Sequence, residues 1–561
     1  MKTIELWNVC EIEILANTQV NDFDDAEVDV IFTHSETTEE LIIPAFWDGG
    51  YTWRVRFAPT KLGIWRYTVK ETKGVLLGVD GISGEVNATP YRGELEIYKR
   101  GFVKTDKNLK YFVYNDGTPF FYLGDTHWTM PTEEFDSAGP HAGDIKTDSH
   151  FEYIVDKRVE QGFTVYQSEP LMANLNVAEG IITEKNIGAY QNLDRYYKYI
   201  AEKGLLHVNA QFFLPGPGSL TERFIAKLRE FTRYWIARYS AYPVMWTLGQ
   251  EVDDANCFAK DVPLWQYYVN MCQIMSQLDP YKHPISAHQI NARDVTALGG
   301  VMTAPIDWGT GEDKFGIEKT MVSRKSKFYG VEGHTWWANQ WRPIIHRQHN
   351  FGIPRDYWEN GEGKPAVDYE PRYHFLMGGD FCVRAQAWIS YLSGMCGHGY
   401  GAEDMWYYIN TYATDDDSFD GIETVTSEKK KTVLWSELIH APITNELAYL
   451  KKFLEDVCWW KLVPDYENGN AFKKVEDKEG LYACAYIENE LYIVYLYNRT
   501  TDSAGKLVNM DKTATYIAQW FDTRTGEYLL IDDNLKPDAN GEYDIPQKTV
   551  ADDMVLLVTK K

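Results

Sequence analysis

Apolar and polar positions divide the chain into three textures. From Ile4 to about Tyr98 the pattern has period two: Val28, Val30 and Phe32 recur at alternate positions, as do Trp53, Val55 and Phe57, and then Trp65, Tyr67 and Val69. Turn clusters at Asp48-Gly49-Gly50 and Lys61-Leu62-Gly63 separate the runs. Short alternating strands at near-regular spacing predict an N-terminal β-sandwich over residues 1–99.

From residue 100 to 460 the texture becomes strand alternating with helix. Short apolar runs at 120–124, 163–166, 205–213, 243–248, 283–288, 327–331, 364–369 and 397–400 are the strand candidates. Helical stretches lie at 150–161 and 192–203. Ser219-Leu220-Thr221-Glu222 has capping-box spacing ahead of Phe224, Ile225, Leu228, Phe231, Trp235 and Ile236, which recur at helical intervals. Eight strands with helices between them predict an α/β fold, a (β/α)8 TIM barrel larger than the usual ~250 residues. After a helical run at 433–454 the period returns to two. Residues 481–487 and 490–497 flank Glu488-Asn489 as a hairpin, and 516–521 and 554–558 are further strands, so 461–561 is expected to be a small C-terminal β-sandwich domain.

Composition narrows the function. The 561 residues carry a formal net charge of −26, a field that repels phosphate backbones and anionic lipid. No nucleic-acid or membrane partner is therefore expected, and oligomeric state is left open. Aromatics make up 15% of the chain, too many for a disordered one. Seven scattered cysteines, odd in number and without CxxC spacing, fit a reducing compartment. The N-terminus has no apolar signal-like core, so a cytoplasmic location is the expectation.

Two predicted strands end in carboxylates. Trp246-Thr247-Leu248-Gly249-Gln250-Glu251 closes the fourth, and residues 364–373, containing Glu370, close the seventh. Barrel enzymes build their sites from such strand ends. Glycosidic cleavage needs two carboxyl groups, one to protonate the leaving oxygen and one to attack the anomeric carbon or activate water. Any single acid in a chain with 82 of them is more simply a solvated loop residue; two at strand ends among aromatics weigh against that reading without removing it. Trp128, Trp246, Trp308, Trp336, Trp337, Trp341, Tyr369, Tyr373 and Trp406 lie at or past strand ends, where flat rings can stack on the apolar faces of sugars. Metal readings are weaker. His346 and His349 are three apart without an acidic partner, and His127, His141 and Asp144 are neighbours only in sequence. No Gly-rich phosphate loop and no GxSxG elbow occurs, so neither a cofactor nor a serine nucleophile is indicated.

Asn115-Asp116-Gly117-Thr118-Pro119-Phe120 and then Phe121-Tyr122-Leu123-Gly124-Asp125-Thr126-His127-Trp128 resemble the opening barrel strand of the apiosidase-like glycoside hydrolases. The similarity continues at 245–251, at Gly330-Val331-Glu332-Gly333-His334, at 364–373 and at 397–403. Residues 47–59 are similar to the β-sandwich domain that often precedes such barrels, and 520–526 to the collagen-binding-like β domain that often follows. The resemblance implies a glycoside hydrolase with Glu251 as acid/base, Glu370 as nucleophile, a retaining mechanism and exo action on a plant-type glycoside. Carbohydrate contacts are expected from Asp125, His127, Trp128, Gln167, Gln250, His334, Trp336, Tyr369, Arg372, Tyr373, Glu403 and Trp406, with no metal: a charged acceptor, an imidazole and a ring after the first strand can hold neighbouring hydroxyls and one face of a sugar, while a hydrogen bond that merely fixes the loop is an equal reading of His127. Two positions depart from the family pattern and bear on which sugar is bound. Gly249-Gln250-Glu251 stands where the family has Gly-Gly-Asp, and Tyr369 stands where it has Gly. One competing class is a non-catalytic carbohydrate-binding protein with a degenerate barrel, which turnover of aryl glycosides separates; another is a metal-dependent hydrolase using His127 or His334, which loss of activity in chelator would expose.

Overall fold

The computed structural model describes residues 1–106, 108–128, 130, 133–139, 142–170, 182–210, 226–247, 271, 273–289, 301–303, 358, 365–369, 374, 379–402, 405, 434–466, 469–474, 482–496, 501 and 505–561. The N-terminal period-two segments form eight strands: β1 (Lys2–Glu5), β2 (Cys10–Leu15), β3 (Ala26–His34), β4 (Glu40–Pro44), β5 (Phe46–Trp47), β6 (Thr52–Phe57), β7 (Gly63–Gly74) and β8 (Ser83–Thr89). They make a five-stranded sheet, β1-β8-β7-β3-β4, and a three-stranded one, β2-β6-β5. The alternating residues of the sequence pattern face each other between the sheets. Phe32 of β3 stacks on Phe57 of β6 with ring centroids 4.0 Å apart, and Val28, Val30, Trp53, Val55, Trp65 and Val69 are buried around them.

A closed eight-stranded barrel follows: β9 (Tyr122–His127), β10 (Val165–Ser168), β11 (Leu206–Ala210), β12 (Val244–Thr247), β13 (Ile285–Gln289), β14 (Val301–Thr303), β15 (Ala366–Asp368) and β16 (Gly397–Tyr400), with β16 pairing back to β9. Seven of these coincide with predicted strands. The sixth does not: the expected strand at 327–331 lies outside the described residues, and β14 stands between β13 and β15 instead. It runs antiparallel to both neighbours, whereas the other six pairings are parallel. Chain length accounts for the reversal. Only residues 290–300 separate β13 from β14, and a parallel return needs a crossover of a dozen or more residues. Helices His150–Glu160, Ile187–Glu202, Leu228–Tyr239, Gly379–Leu392 and Pro442–Asp456 lie between or after these strands.

Nine further strands follow: β17 (Val463–Pro464), β18 (Phe472–Lys474), β19 (Tyr482–Ile487), β20 (Leu491–Leu496), β21 (Gly505–Leu507), β22 (Tyr516–Asp522), β23 (Tyr528–Leu535), β24 (Tyr543–Asp544) and β25 (Met554–Lys560). They form a six-stranded sheet, β17-β19-β20-β25-β22-β23, and a three-stranded one, β18-β21-β24. The predicted hairpin is β19–β20, turning through Asn489 at φ +60°. Strands β20 and β25 read as near-continuous apolar runs because both of their faces are covered. Tyr492, Val494, Leu496, Met554, Leu556 and Val558 enter the domain's own core, while Ile493, Tyr495, Val555 and Leu557 join the core of the barrel.

Buried arginines fasten both flanking units to the barrel. Arg56 of β6 pairs with Asp194 of helix Ile187–Glu202 at 2.5 Å, and Arg238 of helix Leu228–Tyr239 reaches back to Asp48 at 3.0 Å and also holds Asp194 at 2.7 Å. At the other end Arg384 of helix Gly379–Leu392 grips Asp553 through two bonds of 2.8 and 2.5 Å and Glu446 through one of 2.6 Å. Removing one partner of such a pair leaves a buried charge uncompensated. Arg384→Met should therefore cost about 3–5 kcal/mol, read as a lower urea midpoint. Deleting residues 475–561 uncovers Trp388 and Phe453, which pack on Tyr495 and Phe521. The truncated protein should be poorly soluble; an unchanged melting temperature would show that the C-terminal sheet is not part of the barrel's core.

Candidate active site

Strand alternation decides which side chains can reach the barrel mouth. On β9, Tyr122, Gly124 and Thr126 share one face, and Leu123, Asp125 and His127 share the other. The first face looks into the barrel. There Gln167 of β10 accepts a hydrogen bond from the Tyr122 hydroxyl at 2.7 Å, and its Nε2 donates to Thr126 Oγ1 at 2.9 Å and to the Tyr369 carbonyl at 3.0 Å. Trp128, just past β9, lies with its ring 5.5 Å from that of Tyr369, just past β15.

The second face looks outward, at the helices. Asp125 Oδ2 accepts from Arg158 Nε at 2.5 Å, on helix His150–Glu160, and lies 2.8 Å from His127 Nε2. His127 Nδ1 lies 2.5 Å from Glu133, whose carboxylate also accepts from the Tyr166 hydroxyl at 3.1 and 3.2 Å. Tyr166 stacks on the imidazole with centroids 4.6 Å apart. Asp125, His127, Glu133 and Arg158 are all buried. Burial opposes charge on His127, but the Glu133 and Asp125 carboxylates outweigh it and push its pKa up to about 9. Burial likewise raises Asp125, and the Arg158 and His127 charges more than offset it, holding the carboxyl below the usual range.

Five of the candidate residues can thus be located. Gln167, Trp128 and Tyr369 converge inside the barrel. Asp125 and His127 sit behind the wall with protein partners at Oδ1, Oδ2, Nδ1 and Nε2, an arrangement that matches the loop-fixing reading of His127 rather than the sugar-holding one; Oδ1 of Asp125 takes the Thr126 N–H at 3.1 Å. The physical reason is period two: residues 125 and 127 cannot share a face with 124 and 126. Trp246 also belongs to the wall, its indole N–H bound to Asp279 at 2.9 Å. Glu251, Glu370, Gln250, His334, Trp336, Arg372, Tyr373, Glu403 and Trp406 lie outside the described residues, as do Trp308, Trp337, Trp341, His141, His346 and His349.

Other groups escaped the sequence reading. Asp368, at the end of β15, accepts from Ser390 at 2.9 Å and Gln386 at 3.1 Å, with His398 Nδ1 at 3.4 Å. Arg158 and Glu133 were legible only as polar residues in or before a helix; their opposite charges mattered once the fold brought them to β9. Among the described residues no group of three or more His, Cys, Asp or Glu side chains could hold a metal ion, and no helix is long and apolar enough to cross a membrane.

The apiosidase-like catalytic domain model matches residues 106–461, well over half of the chain. The chain belongs to the apiosidase-like family. By that membership it is a glycoside hydrolase, and its substrate is a carbohydrate. Residues 3–72 match a domain of unknown function, DUF5060. No protein with a curated description matches. Among solved structures, a candidate glycoside hydrolase from Bacteroides vulgatus is similar over 100% of both chains at 13% identity, with a TM-score of 0.61. A second glycoside hydrolase covers 82% of this chain and 97% of its own at 18% identity, TM-score 0.56. A family 5 glycoside hydrolase from Bacteroides vulgatus covers 82% and 94% at 19% identity, TM-score 0.55. At these identities the likeness is one of fold.

The charge on His127 should be visible in the stability of this apiosidase-like protein. Its folded pKa is raised from 6.5 to about 9, so the stabilisation it brings is complete below about pH 6.5 and is lost as pH rises through about 9. Urea midpoints should fall over that window, and His127→Gln should flatten the fall. An equal slope in the variant would remove His127 as its source.

Proposed function

We propose that this apiosidase-like protein is a retaining exo-glycosidase acting on plant-type glycosides, with Glu251 as general acid/base and Glu370 as nucleophile. The observation that carries the reading is the family match over 106–461, which spans both strand-end carboxylates. Position supports it: Glu251 follows the last residue of β12 by four, and Glu370 follows the last residue of β15 by two. A retaining pair stands about 5–5.5 Å apart, one carboxyl protonated and the other ionised. Of the expected sugar contacts, we retain Trp128 and Tyr369, whose rings lie 5.5 Å apart at a tilt of 54°, together with Gln250, His334, Trp336, Arg372, Tyr373, Glu403 and Trp406. We read the architecture as a (β/α)8 barrel over 100–460 between β-sandwich units at 1–99 and 461–561, and assign the protein to the cytoplasm on its scattered cysteines.

In this reading Glu251 protonates the glycosidic oxygen as Glu370 attacks the anomeric carbon. Glu251 then deprotonates the water that releases the sugar. Glu370→Ala should lose on the order of 10⁴-fold or more in kcat. Glu251→Ala should lose about 10²–10⁴-fold on poor leaving groups but far less on nitrophenyl glycosides, which leave without a proton. Azide should partly rescue Glu251→Ala and give a glycosyl azide with the configuration of the substrate. Proton NMR of the first-formed anomer checks the stereochemistry; inversion would remove Glu370 as nucleophile and leave the hydrolase standing.

A further inference from the structure

We propose that Gln167 is a positioning residue: from inside the barrel its side-chain amide fixes the Tyr369–Glu370 peptide, and through it the strand end that carries the nucleophile. The proposal rests on the reading of Glu370 given above. A glutamine at the end of a barrel strand is readily taken for a sugar ligand, but this one is already occupied. An amide has two N–H donors, and here both are directed at protein, one at Thr126 Oγ1 (2.9 Å) and one at the Tyr369 carbonyl (3.0 Å). The Tyr122 hydroxyl donates to its oxygen at 2.7 Å. One buried amide therefore ties β9, β10 and the end of β15 together.

The surrounding backbone makes room for that amide. A Cβ on Gly124 would come within 2.7 Å of the Gln167 oxygen. A Cβ on Gly399 of β16 would come within 2.6 Å of the same oxygen and 2.4 Å of the Tyr369 carbonyl oxygen. Two glycines on two strands are thus needed for glutamine and carbonyl to meet. The carbonyl that accepts the bond belongs to the peptide whose nitrogen is that of Glu370. Turning that peptide moves the backbone of Glu370 directly, and a misplacement of about 1 Å costs on the order of 10²-fold in rate.

Kinetics on the nitrophenyl glycoside that the wild-type protein cleaves fastest test the proposal. Gln167→Leu keeps the volume and loses every hydrogen bond; kcat should fall about 10²-fold with KM changed by less than about threefold. Gln167→Glu turns the donor toward Tyr369 into an acceptor when ionised, and back into a donor when protonated. Its activity should therefore recover toward acid pH, giving a pH profile displaced from that of the wild type. Thr126→Val removes one partner and should give a milder loss in the same sense, which keeps the test open if the glutamine variants do not fold. A purely structural role would lower melting temperature and leave kcat and the pH profile of the folded protein alone, and that result overturns the proposal. So does a rise in KM at constant kcat, which would make Gln167 a sugar contact. Wild-type kcat in Gln167→Leu beside an inactive Glu370→Ala sinks the positioning role alone. Wild-type turnover in Glu370→Ala sinks the nucleophile reading beneath it.

Discussion

Strand β9 has no solvent on either side, and that constraint organises the centre of the molecule. It pairs with β10 on one edge and β16 on the other, and all six of its residues are buried. A polar side chain on such a strand must find a partner on the face to which the pleat sends it. On the inner face Thr126 and Tyr122 meet the amide of Gln167; on the outer face Asp125 and His127 meet Arg158 and Glu133. The strand is held by two hydrogen-bonding systems back to back, one at the barrel axis and one in the layer between barrel and helices.

These two systems differ in chemistry. The inner one is neutral, so its strength hardly depends on pH or salt, and it reaches the carbonyl next to the proposed nucleophile. The outer one contains ionisable groups at low dielectric, where each charge depends on its neighbour. Nearby, burial alone pushes His207 down to about 3, and this neutral imidazole shares a 2.6 Å hydrogen bond with Ser168. Two buried histidines on one barrel are thus pushed in opposite directions, His127 up by the carboxylates beside it and His207 down by burial with no carboxylate to oppose it.

The flanking sheets extend the same logic to the outside of the barrel. Each contributes apolar surface to a shared core and carboxylates to buried arginines, Asp48 to Arg238 and Asp29 to Arg233 on the N-terminal side and Asp553 to Arg384 on the C-terminal side. Apolar contact supplies area, and the bidentate Arg384–Asp553 geometry supplies register.

Much of this was legible along the chain. Period-two runs marked the N- and C-terminal sheets, apolar runs marked seven barrel strands, and the Gly124–Trp128 and 364–373 segments pointed to the family. Those signals are local: side-chain alternation, run length and motif spacing are properties of neighbouring residues. The sixth strand was not legible, because its identity and direction depend on what could close the barrel within eleven residues of β13. Nor were the roles of Asp125, His127 and Gln167. The sequence made all three candidate sugar ligands, with a loop-fixing hydrogen bond as an equal reading of His127, and only the tertiary structure placed Asp125 and His127 toward the helices and the Gln167 amide against Tyr369. Strand pleat assigns a side chain to a face, but which face is the barrel interior, and which distant arginine or carbonyl waits there, is set by closure of the sheet.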